Sequence, residues 1–396
     1  MNGLEILKQR GFIAQMTHEI EMTELFDNQK VVFYCGYDPT ADSLHIGHYL
    51  TFMALAWLQR LGHVPIVLLG GGTGMVGDPD KADKMRPMMG IDEIDHNVAA
   101  FKRQAEKYID FSDGKAILVN NAEWLRALNY ASFIREYGVH FSVNRMLAAD
   151  KYKTKFEGEG LNFLELNYQI MQAYDFLELN RRFGCIVQIG GNDQWSNIIA
   201  GVDLIRRVDQ KQAFGMTFTL LEKSDGTKMG KTMGGAIWID ETKTSPHEFY
   251  QYFRNLDDES VKKTMCFLTF LPMEQIEELC AEAGEKMNRA KEVLAYEVTK
   301  IVHGEAEAEK AAGSRVVEVA VANDVFGNGM NILDLLVETK LTPSKSEARR
   351  NVQQGGIIVG GAKITDPSHI VSVSDFTDGG IIVQKGKKAI VRVVIE

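Results

Sequence analysis

Short apolar runs alternate with helical patterns through the first half of this 396-residue chain, and that alternation limits its fold more than any other feature. Residues 31–35 (Val-Val-Phe-Tyr-Cys), 66–69, 116–120 and 186–189 each read as a buried strand bounded by turn-forming residues. A helical pattern at 48–61 joins the first two. Strands separated by helices build a parallel sheet with crossover helices, and ligands on such sheets sit beyond the carboxyl ends of the strands. Polar and glycine-rich clusters fall at those ends, at 34–40, 70–78 and 188–194.

Two motifs carry chemistry. His45-Ile46-Gly47-His48 begins a helix just after the first strand, where imidazoles can donate to phosphate oxygens. Gly47 removes a side chain there, so a flat ligand could approach the backbone closely. Far downstream, Lys228-Met229-Gly230-Lys231-Thr232 lies in a glycine-punctuated loop. Two lysines three apart, with a hydroxyl beside the second, suit a polyanion that gains charge during reaction. Alone, each is compatible with an ordinary strand–turn–helix and a solvated basic loop.

The chain as a whole narrows the class. Hydrophobic content of 45% and charged content of 25% belong to a soluble globular protein of two or three domains. Cys35, Cys185, Cys266 and Cys280 show neither CxxC pairing nor metal-ligand spacing, which points to a reducing compartment. The amino terminus has no signal or transit character. After Pro246 the pattern turns helical, with candidates at 247–254, 274–283 and 290–302. A glycine-rich stretch at 327–329 reads as a linker. Beyond it come helical patterns at 332–339 and 346–353, then β-rich runs at 357–359, 381–383 and 390–395. This last part has 9 basic and 7 acidic side chains, against 35 and 47 in the remainder. Lys345, Arg349 and Arg350 share a helix face, and Lys385, Lys387 and Lys388 cluster in a turn. A basic surface on an otherwise acidic protein suits a phosphate backbone.

Together, and in this order, the two motifs resemble the signatures of class I aminoacyl-tRNA synthetases. The second is a variant of Lys-Met-Ser-Lys-Ser in which Gly230 and Thr232 replace the two serines. Four further segments resemble the bacterial-type tyrosyl-tRNA synthetase family: 34–42 (Tyr-Cys-Gly-Tyr-Asp-Pro-Thr-Ala-Asp), 74–79 (Gly-Met-Val-Gly-Asp-Pro), 167–175 (Asn-Tyr-Gln-Ile-Met-Gln-Ala-Tyr-Asp) and 188–194 (Gln-Ile-Gly-Gly-Asn-Asp-Gln). Residues 344–359 resemble the ribosomal-protein-S4-like RNA-binding domain. The implied class is α/β. A Rossmann-like catalytic domain would span 1–240, an α-helical anticodon-side domain 241–325, a linker 326–330, and an S4-like α+β RNA-binding domain 331–396.

The resemblance also implies roles. Tyr34 and Asp175 would hydrogen-bond the substrate phenol, Asp78, Tyr168 and Gln172 its ammonium group, with Gln188 completing the tyrosine set. Tyr168, Gln172 and Asp175 are spaced i, i+4, i+7 and so share one helix face. Thr40 and His45 would meet the γ-phosphate, and Lys228, Lys231 and Thr232 the leaving pyrophosphate. His48, Gly47, Gly191 and Asp193 would hold the nucleoside, with Gln194 near the α-phosphate and Asp38 and Arg86 also on the ATP side. Arg86 lies in a second basic loop, in which Ala82 takes the usual lysine's place between Lys81 and Lys84. Lys345, Arg349 and Arg350 would face tRNA. The implied activity is tyrosine–tRNA ligation through tyrosyl-adenylate. Its partners are L-tyrosine, ATP with accompanying Mg2+ and no dedicated protein metal site, and tRNA(Tyr). A cytoplasmic homodimer without membrane association completes the expectation. Rival readings are a tryptophanyl synthetase, against which the Tyr34–Asp175 pair speaks, and a non-catalytic RNA-binding protein reusing the fold.

Overall fold

The computed structural model describes residues 3–79, 88–158, 160–222, 229–232, 235–281, 284–313, 317–321, 329–376, 380–386 and 389–395. The chain divides into two compact units, Met1–Ala308 and Glu309–Glu396.

A six-stranded sheet organises the first unit. Its strands are β1 (Ile13–Met16), β2 (Val32–Tyr37), β3 (Val64–Leu69), β4 (Ile117–Asn120), β5 (Val187–Gly191) and β6 (Phe214–Phe218), in spatial order β1-β6-β5-β2-β3-β4. Five strands run parallel, and β1 closes one edge antiparallel to β6. All six residues of β3 are buried, as expected for a strand covered on both faces. Strand order reverses between β2 and β5, which opens a crevice beyond their carboxyl ends.

Two helices border that crevice. Ile46–Arg60 buries nine residues between the sheet and neighbouring helices. Phe163–Phe183 starts on a reciprocal cap, in which Asn162 accepts from the Glu165 N–H and Glu165 accepts from the Asn162 N–H. It stops at Gly184, whose φ of 66° is left-handed. Two short strands, β7 (Lys231–Thr232) and β8 (Gly235–Ala236), form a small ladder of their own.

The helical stretch Pro246–Arg254, Asp258–Leu268, Met273–Leu279 and Glu285–His303 packs within the first unit. The Arg10 guanidinium donates to the carbonyls of Cys266 (2.8 Å), Thr269 (3.1 Å) and Leu271, and the Tyr49 hydroxyl donates to that of Leu268 (3.0 Å). These bonds tie the helices to the sheet side, and of the expected helical domain 241–325 the part up to 308 lies in the same compact unit as the sheet.

The second unit holds β9 (Val317–Val321), β10 (Met330–Asn331), β11 (Ile357–Val359), β12 (Ala362–Ile364), β13 (Ile370–Val371), β14 (Gly380–Lys385) and β15 (Ala389–Ile395), with helices Ile332–Glu338 and Lys345–Gln353. Five strands form a sheet in order β12-β11-β14-β15-β9, over a core that includes Ile332, Leu335, Leu336, Val352, Ile357, Val383 and Val393. The last pair is parallel, from Val391↔Val317 to Ile395↔Val321. This pairing moves the unit's start upstream of the expected boundary at 331. Of the expected linker 326–330, residues 326–328 lie outside the described residues. Among the described residues no helix is long and apolar enough to cross a membrane.

Candidate active site

A cavity of about 470 Å³ opens at the strand reversal, a size suited to small-molecule substrates. Its walls include Tyr34, Asp38, Thr40, His45, Gly47, His48, Asp78, Tyr168, Gln172, Asp175, Gln188, Gly191, Asp193, Gln194 and Gly230. Residues far apart in sequence are thus brought to one crevice by β2, β5, the start of helix Ile46–Arg60 and one face of helix Phe163–Phe183.

One end of the cavity is buried. Tyr34, on β2, packs its ring on Phe176 at 5.2 Å, and its hydroxyl meets no hydrogen-bond partner among the described residues. Asp175 is 1% exposed and accepts from Trp124 Nε1 (2.7 Å) and Asn121 Nδ2 (2.9 Å). Burial pushes its carboxyl up to about 8, with those two donors pulling the other way. Burial, then the Asp175 charge, pushes the Tyr34 hydroxyl well above its ordinary range, so it stays a neutral donor. Gln188 Oε1 is likewise buried without a partner among the described residues. Unmet buried polar groups are costly, and a ligand hydroxyl placed here would relieve that cost.

The neighbouring wall is a polar lattice. The Tyr168 hydroxyl donates to Asp38 Oδ2 (2.8 Å), and Thr73 Oγ1 donates to Asp38 Oδ1 (2.7 Å). Gln194 Nε2 donates to Asp78 Oδ2 (2.7 Å), while Asn197 Nδ2 donates to Gln172 Oε1 and Gln194 Oε1 (3.0 and 3.1 Å). Both Asp38 carboxylate oxygens are engaged by this wall. Its side chain is thus held by Tyr168 and Thr73 on this wall of the cavity.

The two histidines form one unit. His45 caps the helix, its Nδ1 accepting from the Gly47 N–H (3.0 Å), and His48 Nδ1 accepts from the His45 N–H (3.2 Å). The rings stack at 3.8 Å. Burial, then the neighbouring His45, holds His48 well below the ordinary histidine range. With Nδ1 accepting, the neutral His48 carries its proton on Nε2, as a donor. Gly47 has a local reason beyond ligand approach: a Cβ there would sit 2.9 Å from His45 Cε1.

Backbone bonds join the two signature segments. The Ile46 N–H donates to the Ile237 carbonyl (3.2 Å), Ile239 N–H to Leu44 (2.9 Å), and Ile237 N–H to Gly230 (2.9 Å). Gly230 N–H donates to the Tyr252 hydroxyl (2.8 Å), and Gly230 has a φ of +86°. The glycine that replaces a serine therefore occupies a left-handed conformation. Lys231 and Thr232 lie in β7, paired with Ala236 and Gly235. Lys228 and Arg86 lie outside the described residues, as do Lys81, Lys84, Lys387 and Lys388. Thr73, Asn121 and Trp124 were missed by sequence reasoning. The signal lay in Asn121, which directly follows β4 at a strand's carboxyl end.

The family description "tRNA synthetases class I (W and Y)" matches residues 27–316, and "Tyrosine--tRNA ligase SYY-like C-terminal domain" matches 312–393. The tyrosine–tRNA ligase of Clostridium kluyveri is 54% identical over 405 residues, covering 100% of both chains. That of Clostridium tetani is 54% identical over 407 residues, covering 100% of this chain and 99% of its own. A C-terminally truncated mitochondrial tyrosyl-tRNA synthetase from Aspergillus nidulans superposes with a TM-score of 0.70 at 30% identity, over 78% of this chain and 92% of the other. The chain belongs to the tyrosine–tRNA ligase family. It is a class I aminoacyl-tRNA synthetase. A tryptophanyl-tRNA synthetase from Encephalitozoon cuniculi shares the fold at 12% identity and a TM-score of 0.56. Fold alone does not separate tyrosine from tryptophan enzymes; the full-length relatives and the C-terminal match do. In this tyrosine–tRNA ligase the second unit, matched from 312, is the family's own C-terminal domain and includes β9.

In that domain Arg349 and Arg350 are exposed on the helix capped by Ser344, opposite the buried Ala348 and Val352. Lys345 pairs with Asp334 at its surface. Lys385 is engaged locally, with Glu347 Oε1 (2.8 Å) and the Leu341 carbonyl (2.9 Å).

Proposed function

We propose that the cavity binds tyrosine and ATP side by side, and that the enzyme forms tyrosyl-adenylate there before passing tyrosine to the 3′ end of tRNA(Tyr). The observation that carries this reading is the buried Tyr34 hydroxyl, without a hydrogen-bond partner among the described residues, beside the Asp175 carboxylate. A substrate phenol accepts from Tyr34 and donates to Asp175. Phenylalanine entering the same site leaves both groups unmet, the strongest form of discrimination that a pocket offers. Asp78, Gln172 and the oxygen of Tyr168 receive the ammonium group, and Gln188 closes the wall behind the ring.

Chemistry then needs little from side chains as bases. The tyrosine carboxylate, already an anion, attacks the α-phosphorus of ATP. The bond from that phosphorus to the bridging oxygen breaks, and pyrophosphate leaves with the electron pair. Catalysis is positioning and charge stabilisation. Thr40 and His45 donate to the γ-phosphate, Gln194 reaches the α-phosphate, and His48, Gly47, Gly191 and Asp193 hold the nucleoside. Lys228, Lys231, Thr232 and Arg86 neutralise the departing pyrophosphate, with Mg2+ arriving as part of the ATP substrate. The helix bearing Lys345, Arg349 and Arg350 contacts tRNA phosphates.

We also infer a cytoplasmic homodimer. Tyr130, Val139, Val143, Phe156 and Phe163 are exposed apolar side chains within one short stretch, the type of surface that a second copy covers. The four cysteines are free, in keeping with a reducing compartment. Incubation with labelled tyrosine, ATP and tRNA tests the function. Ester-linked tyrosine on tRNA is expected. No product, or preferential attachment of tryptophan, overturns it.

A further inference from the structure

An unbroken line of hydrogen bonds connects the two ends of the amino-acid pocket. Tyr168 donates to Asp38 Oδ2, Thr73 Oγ1 donates to Asp38 Oδ1, and Asn121 Nδ2 donates to both Thr73 Oγ1 (3.0 Å) and Asp175 Oδ2 (2.9 Å). The directions are forced. Asn121 Oδ1 accepts from the Gly72 N–H (2.7 Å), so the amide cannot turn over, and its NH2 group has only donors to offer. Thr73 Oγ1 must therefore accept from Asn121, and its single proton points to Asp38. Thr73 is 3% exposed and Asn121 0%, so water does not compete for these groups.

The local backbone is built for this approach. Three glycines precede Thr73. A Cβ on Gly70 would lie 2.1 Å from Asp38 Oδ1 and 2.6 Å from Thr73 Oγ1, and one on Gly71 would lie 2.3 Å from Asn120 Oδ1. A side chain at Gly70 would push Thr73 and Asp38 apart, and one at Gly71 would displace Asn120.

We propose that Thr73 is a positioning residue for tyrosine recognition, whose hydroxyl fixes both the Tyr168–Asp38 pair at the ammonium end and the Asn121–Asp175 pair at the phenol end. The inference rests on the reading of the cavity as the tyrosine site. With both Asp38 oxygens accepting, the Tyr168 proton is committed to Asp38, and the Tyr168 oxygen presents lone pairs to an ammonium group. With Thr73 accepting from one Asn121 proton, the other is aimed at Asp175. Loss of the Thr73 hydroxyl weakens ammonium binding for any amino acid, and weakens phenol binding for tyrosine in addition.

Tyrosine- and phenylalanine-dependent pyrophosphate exchange by the full-length enzyme tests this, with Thr73→Val, Thr73→Ser and thermal melts as a check on folding. Thr73→Val is expected to raise the tyrosine KM by about tenfold or more, the scale of a lost bond to a charged group. It should also lower the tyrosine-to-phenylalanine ratio of kcat/KM, with the ATP KM unchanged. Thr73→Ser, which keeps the hydroxyl, should restore both. Normal tyrosine KM and selectivity in Thr73→Val overturn the proposal, as does an ATP KM that rises in parallel or a serine variant as impaired as valine. Should Thr73→Val not fold, Thr73→Ala removes the hydroxyl without replacing it and is judged by the same readings. A wild-type enzyme without tyrosine-dependent exchange rejects the pocket itself. An active wild type with an unaffected Thr73→Val rejects only the role of Thr73.

Discussion

The indole N–H of Trp124 donates to Asp175 Oδ1 at 2.7 Å, deep in the catalytic unit. It anchors the cavity-lining carboxylate that we propose recognises the substrate phenol. With Asn121 on the other oxygen, Asp175 is held by two neutral donors. Burial therefore dominates its ionisation.

That balance has a sign. Unfolded, an aspartate titrates near about 4; folded, Asp175 titrates at about 8. The folded protein thus keeps a proton that the unfolded chain has released. The group's contribution to stability is greatest below the unfolded value and is lost as pH rises through the folded one. Between these values the melting temperature of the apo enzyme should fall with pH more steeply than that of Asp175→Asn. Parallel melting curves for the two proteins across this window would show that Asp175 ionises normally.

Tyr34→Phe should separate stability from function. The buried hydroxyl has no hydrogen-bond partner among the described residues, so its removal is expected to leave the melting temperature unchanged or raised. Discrimination of tyrosine from phenylalanine should drop by about 0.5–1.5 kcal/mol, the worth of one neutral hydrogen bond. Unchanged selectivity in exchange kinetics would remove Tyr34 from the phenol site.

Gly230→Ser restores the serine of the family signature, yet it should slow tyrosyl-adenylate formation. The backbone there has a φ of +86°, and a Cβ would approach Ile46 Cβ to 3.2 Å. Left-handed geometry costs a side-chain-bearing residue about 1–2 kcal/mol. Single-turnover rates decide this, and a faster variant contradicts it.

The C-terminal unit should serve tRNA alone. Truncation after Gly313 removes all of its strands, including β9, and should leave tyrosine-dependent exchange nearly intact while tRNA charging falls strongly. Replacing Lys345, Arg349 and Arg350 together should reduce the slope of log affinity against log salt by about 2–3. An unaltered slope, or charging that survives truncation, removes the tRNA role.

Much of this architecture was legible because its signals are local. Strands β2 to β5 are short apolar runs, and the residues at their carboxyl ends point to the crevice. The helix face of Tyr168, Gln172 and Asp175 follows from spacing alone. The missing pieces depend on distance. Asn121 and Trp124 lie more than fifty positions from the carboxylate they hold, and neither residue type announces a partner. Strand β1 pairs at an edge and shows only partial burial, so its pattern is weak. The start of the C-terminal unit was misplaced because Val317–Val321 becomes part of its sheet only through parallel pairing with β15. The left-handed backbone at Gly230 could not be read from a glycine in a loop already rich in them.

Amino-acid-dependent exchange of pyrophosphate into ATP bears most directly on the central claim, when tyrosine, phenylalanine and tryptophan are compared on the wild-type enzyme and on His45→Ala. Tyrosine alone should support rapid exchange. His45→Ala should slow it by orders of magnitude while equilibrium dialysis finds tyrosine affinity unchanged. Exchange driven equally by tryptophan, exchange absent with tyrosine, or tyrosine affinity lost in a folded His45→Ala enzyme would contradict the assignment of this cavity.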